Sequence, residues 1–176
     1  MIVPDDKDWT WVLERPCPDC GFDASSYAEA SMSMAGLVRA NAQRWLRLAE
    51  AGEIRPGRPD PSVWSTLEYA CHVRDVYRRY DQRIDLMLGE WDPLFPNWDQ
   101  DETAIAERYE EQDAMIVVDD LGQAAELLAT RLDGLSSEEW LRPGRRSDGA
   151  SFTVDSIVRY MIHDPTHHIW DVTKGR

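Results

Sequence analysis

The chain holds four histidines, and three of them fall within His163-Asp-Pro-Thr-His167-His168. His163 and His167 are four apart, so on a helix they project from one face about a turn apart and can chelate one ion. One helical pair leaves a site incomplete, and the third ligand must come from another helix. His72 is the remaining candidate, set among Tyr69, Val73 and Val76, whose spacing turns that flank inward. His168 points about 100° away from His167 and reads as a surface residue or a neighbour of the site. His72, His163 and His167 would give three imidazoles with open positions for water or substrate, as in catalytic zinc sites. The alternative is three ordinary core histidines with hydrogen-bonded ring nitrogens.

Several neighbours invite roles. Glu68 lies four residues before His72 and Asp75 three after it, on one flank of the same segment. Either could orient an imidazole, join the coordination or serve as a general base. Either could equally form surface ion pairs with Arg74, Arg78 or Arg79. Asp171, four after His167, is open to the same two readings. Trp64, Tyr160 and Trp170 suit a pocket wall or plain core. Cys17-Pro-Asp-Cys20-Gly has the spacing of half a zinc knuckle or of a redox pair. With Cys71 and His168 as the spare ligands, a reduced structural turn is the expected reading, ahead of a second metal.

The elements that would position these groups are helical. Residues 1–22 form an irregular lead-in broken by Pro4, Pro16, Pro18 and Gly21. Asp23 or Ser25 can cap a first helix carrying Tyr27, Ala30, Met34, Leu37, Val38, Trp45 and Leu48 inward, up to Gly52. A proline-rich loop over 55–61 precedes a second helix from about Ser62 to Leu88 with the stripe Tyr69, Val73, Val76, Tyr80, Ile84, Met87. The connection Trp91–Trp98 is long for a bundle and is either packed on it or part of a binding site. A third helix is expected from near Asp101 to Gly134, with Val117, Leu121, Ala125, Leu128, Leu132 and Leu135 inward. After a polar insertion over 143–149, Thr153 caps a last helix that buries Val154, Ile157, Val158, Met161, Ile162, Ile169 and Val172. Inside it, Pro165 removes a backbone hydrogen bond and predicts a kink or restart, with Asp164 as a cap. No alternating runs predict a dominant sheet. The expectation is an all-α four-helix bundle, one domain over 1–176, with the bundle in 23–174.

Composition narrows the partners. Hydrophobic residues make up 43% and there are eight Trp, which argues for a packed core over disorder. Nineteen basic against thirty-three acidic residues give a net charge of −14, which repels nucleic acid and anionic membranes. No stretch is long and apolar enough to span a bilayer, and Met-Ile-Val-Pro-Asp-Asp-Lys lacks a signal-peptide pattern. Three cysteines cannot all be paired, so reduced thiols and a cytoplasmic location are expected.

The segment Trp64-Ser-Thr-Leu-Glu-Tyr-Ala-Cys-His72-Val-Arg-Asp75 with the late His163-x-x-x-His167 resembles the DinB-like superfamily. That superfamily includes the metal-binding domain of mycothiol-dependent maleylpyruvate isomerase, and the similarity runs from about residue 25 to 174. The lead-in Trp9–Asp23 looks like that of an actinobacterial branch. The resemblance implies a four-helix bundle, a homodimer, and one divalent ion, zinc or nickel, on His72, His163 and His167. It also implies a thiol S-transferase or isomerase acting on a small-molecule substrate with mycothiol or another low-molecular-weight thiol. Three neutral imidazoles leave the ion's double charge unbalanced, which suits binding a thiol as thiolate. A metal-dependent hydrolase and a non-catalytic metal or ligand binder, for instance in stress response, are the alternatives.

Overall fold

In a computed structural model the chain is described over residues 8–27 and 33–174. Its four long helices are α1 (Met34–Glu50), α2 (Thr66–Gly89), α4 (Ala114–Asp133) and α5 (Val154–Thr173), with a short α3 (Gln100–Ala106) between α2 and α4. α4 and α5 each pack on both α1 and α2, so α1 and α2 stand across the bundle from each other. The inward stripes are those the periodicity predicts. Val73, Val76, Ile84 and Met87 of α2, Leu121 and Leu128 of α4, and Ile157, Met161 and Ile169 of α5 are all buried. Tyr69, by contrast, is only half-buried.

Helix ends explain where boundaries differ from expectation. α1 starts at Met34, where the Ser33 side chain accepts the Gly36 amide. Asp23 caps only a short 3-10 turn over Ala24–Tyr27, and the expected inward Ala30 lies outside the described residues. α2 starts four residues later than expected. There Ser65 and Glu68 form a reciprocal capping box that satisfies two otherwise orphaned amides. The single helix expected over 101–134 is two, because Arg108 adopts a left-handed conformation (φ 50°) and Asp113 recaps the chain for α4. Between them Tyr109 is buried, its hydroxyl donating to Asp75 at 2.6 Å. α5 begins at its predicted cap, Thr153, and runs through Pro165 without restarting.

The 91–98 connection and the polar insertion after α4 form a small sheet. β1 (Leu94–Phe95) runs parallel to β2 (Pro143–Arg146), and β2 pairs antiparallel with β3 (Ser151–Thr153). Gly144 of β2 lies so close to Met87 that a Cβ there would meet its side chain at 2.8 Å, which seats the sheet on α2. The 91–98 connection is thus packed on the bundle, and its last residue, Trp98, stacks on His72 (5.3 Å, 11° between planes). None of the described helices is long and apolar enough to cross a membrane.

A candidate metal centre with two ligand groups

The middle turns of α5 carry all the late candidate ligands, and their position is set by packing rather than by local sequence. Asn41 of α1 donates to the Pro165 carbonyl (2.9 Å) and accepts from the Tyr77 hydroxyl of α2 (2.8 Å). This buried link joins three helices beside the histidines, and the Cδ-bearing ring of Pro165 is itself buried there.

Among the described residues the ligand atoms fall into two groups, each within 4.8 Å of one another. One is Cys17, Cys20, His163 and His167; the other is His72, Asp164 and His168. The expected set of His72, His163 and His167 is therefore split. The reason is helical phase: Asp164 and His168 are also four apart, and they lie about 100° round α5 from His163 and His167. That adjacent face is the one turned to α2 and His72. His168, read from the sequence as peripheral, is one of the gathered residues. Asp164 was not singled out from the sequence as a candidate ligand, although its spacing to His168 is the same four-residue signal.

In the three-residue group, Asp164 Oδ1 stands 3.2 Å from His72 Nε2 and 3.5 Å from His168 Nε2. Ligands ~2.0–2.2 Å from a shared ion are about 2.9–3.5 Å apart at angles between 90° and tetrahedral, so the spacing fits one ion. His168 Nδ1 is 3.0 Å from Asp171 Oδ2; an Nδ1–H donated there leaves the Nε2 lone pair facing Asp164. His72 is fully buried between Trp64 and Trp98, and its Nδ1 has no partner. Burial opposes ionisation of Asp164, yet His72 and His168 hold it well below the usual carboxylate range. The carboxylate is thus charged at neutral pH.

The four-residue group has a different chemistry. Cys17 is buried, and its Sγ lies 3.6 Å from His167 Nδ1. The Cys17 amide donates to the Phe22 carbonyl and the Gly21 amide to the Cys17 carbonyl, with Gly21 left-handed (φ 73°), so the Cys17–Cys20 turn is tightly folded back. Burial, together with Cys17, pushes the Cys20 thiol up to about 11. Burial and the nearby His167 push His163 down to about 4, so its ring is neutral. Trp9 and Phe22 pack on the His163 ring at 5.2 and 5.5 Å.

The remaining candidates have other partners. The Glu68 carboxylate accepts from the Ser65 amide and from Arg58, and Asp75 is held by Arg74, Arg78 and the Tyr109 hydroxyl. Neither belongs to either group. Cys71 is buried with its sulfur toward the Tyr109 carbonyl, its thiol pushed up to about 12 by burial, and it belongs to neither group. A cleft of about 990 Å³ runs past both groups, lined among others by Trp64, Trp98, Tyr160, Trp170, Arg83 and Arg146. The aromatic residues considered as a pocket wall thus do line it. Arg83 and Arg146, which no motif singles out, line it as well, Arg146 paired with Asp148 and Arg83 donating to the Pro96 carbonyl.

Comparison with known proteins agrees with this architecture. No curated protein matches the chain. A solved structure, YfiT from Bacillus subtilis, superposes with a TM-score of 0.70 at 14% identity, covering 80% of this chain and 84% of that one. It is described as a probable metal-dependent hydrolase with an unusual four-helix bundle topology, and at this identity the likeness speaks for the fold. A family model for the DinB superfamily matches residues 37–172, and the chain belongs to that superfamily.

Proposed function

We propose that the chain is a metal-dependent hydrolase of a small-molecule substrate, with its ion held by His72, Asp164 and His168. The observation that carries this reading is the carboxylate of Asp164 set between two imidazoles. Two histidines and one carboxylate are the protein ligands of several zinc hydrolases, and the carboxylate cancels one of the ion's two charges. Compared with three imidazoles, this set attracts a thiolate less and suits water as the fourth ligand. When bound, a divalent ion would supply Lewis acidity and make water a nucleophile at neutral pH. The chain's own groups then orient the reaction. Asp171 fixes the His168 tautomer, and Trp64 and Trp98 keep water from the His72 side.

A second reading, thiol-dependent S-transfer or isomerisation with mycothiol or a similar thiol, is favoured by the size of the cleft. At about 990 Å³ it is at the upper end for one small ligand and has room for a cosubstrate. The zinc- or nickel-loaded protein, assayed on chromogenic esters and amides with and without thiol, separates the two. Turnover without thiol that is lost in Asp164→Ala supports hydrolysis. Turnover that requires thiol, with a proton released on thiol binding, replaces it with the transferase.

Assembly as a homodimer is part of the same proposal. Ile116 and Leu127, both exposed and eleven residues apart on one side of α4, offer an apolar contact.

A further inference from the structure

Cys17, Cys20, His163 and His167 are not needed by the reading above, and their chemistry is complete without it. Two sulfurs and two imidazoles are the donor set of closed structural zinc sites, in which four protein ligands leave no position for substrate. For Zn–S near 2.3 Å and Zn–N near 2.05 Å, a tetrahedral angle puts sulfur and nitrogen about 3.6 Å apart. Cys17 Sγ and His167 Nδ1 are separated by 3.6 Å. The Cys-x-x-Cys turn and the helical His-x-x-x-His pair each present two ligands at the usual zinc spacings. His163 is 4% exposed, and its Nε2 is buried with no hydrogen-bond partner, a cost that a coordinate bond would remove.

We infer that these four residues bind a second, structural zinc ion that fastens the N-terminal lead-in to α5. The lead-in is otherwise held by packing, with Val12, Phe22 and Ala24 buried. Its 3-10 turn Trp9–Leu13 packs on α5, and Arg159 of α5 donates to the Ala24 carbonyl. A zinc tie between residues 17–20 and 163–167 would close a loop of most of the chain, which restricts the unfolded state as a long-range crosslink does. It also grips α5 on the face next to Asp164 and His168, so the closed ion steadies the helix that carries the open group.

The test uses the full chain purified with zinc. X-ray absorption at the zinc edge of His72→Ala, which empties the open group, should show about one zinc per chain with two sulfurs near 2.3 Å and two nitrogens near 2.0–2.1 Å. A sulfur-free shell, or no zinc in that variant, overturns the site. Because His72 is buried and its replacement could unfold the chain, a second measurement uses the wild type. Zinc should protect Cys17 and Cys20 from alkylation, and strong chelation should expose both. Equal modification with and without zinc, or a Cys17–Cys20 disulfide in the zinc-loaded protein, overturns the inference. Cys17→Ser together with Cys20→Ser should halve the zinc content of the wild type; an unchanged content overturns it too.

Discussion

His163 and Asp164 are consecutive in α5, yet they belong to different ligand groups, one with Cys17 and Cys20 and the other with His72 and His168. A rotation of about 100° per residue is enough to separate them. Six residues, His163 to His168, therefore serve two purposes, each with its own pair four apart. The pair beside the cysteines is saturated by protein ligands. The pair facing α2 receives a single residue, His72, and keeps room for water or substrate.

The first prediction follows from that division. His168→Ala and Asp164→Ala should each lower the metal content by about one ion per chain and abolish turnover, while the sulfur-ligated ion stays. Elemental analysis with zinc-edge absorption distinguishes the two populations. If His168→Ala retains both ions, His168 is peripheral after all and the open group must be assigned again.

The bundle itself was legible because periodicity reports burial directly: the stripes of α2, α4 and α5 could be read residue by residue. The site was legible by residue type but not by phase. His163 and His167 form as good a chelating pair as Asp164 and His168, and only the packing of α5 on α2 decides which pair meets His72. Cys17 and Cys20 offered a half-site by spacing alone. Nothing local could say that its other half lay about 145 residues on in the chain. The break at Arg108 went unread because a left-handed arginine has no composition signal, unlike a glycine or proline.

Assembly gives a second prediction. Light scattering at micromolar concentration should report twice the monomer mass of 20.3 kDa, and Ile116→Glu with Leu127→Glu should return it to the monomer. A wild-type mass near 20.3 kDa removes the dimer.

Tyr77→Phe gives a third. The hydroxyl donates to Asn41, whose amide holds the Pro165 carbonyl, and all three groups are buried. Removing the donor leaves the Asn41 oxygen unsatisfied and should cost about 1–2 kcal/mol, read as a lower urea midpoint with unchanged slope. The change should also loosen α5, so hydrogen exchange around 163–168 should quicken. No change in either measurement would mean that water replaces the hydroxyl and that the link does not set the position of the helix.

Glu68 gives the fourth, and it separates two roles that its sequence position left open. Its carboxylate completes the cap of α2 and pairs with Arg58. Burial opposes its charge, but Arg58 and the Ser65 amide outweigh that and hold it below the ordinary value of 4.5. A carboxylate lowered in the folded state contributes stability that is complete above the unfolded value and is lost as pH falls through the folded one. Glu68→Gln keeps a capping side chain but removes the charge. It should therefore cost about 1–2 kcal/mol at pH 7, discounted for the partly exposed Arg58. The difference from wild type should hold down to about pH 4.5 and then shrink as Glu68 itself becomes protonated. Metal content should not change, because Glu68 is in neither ligand group. Denaturant titrations between pH 3 and 8, with metal analysis at pH 7, decide the matter. A loss of metal in Glu68→Gln, or a stability difference that persists undiminished at pH 3, would return Glu68 to the metal centre.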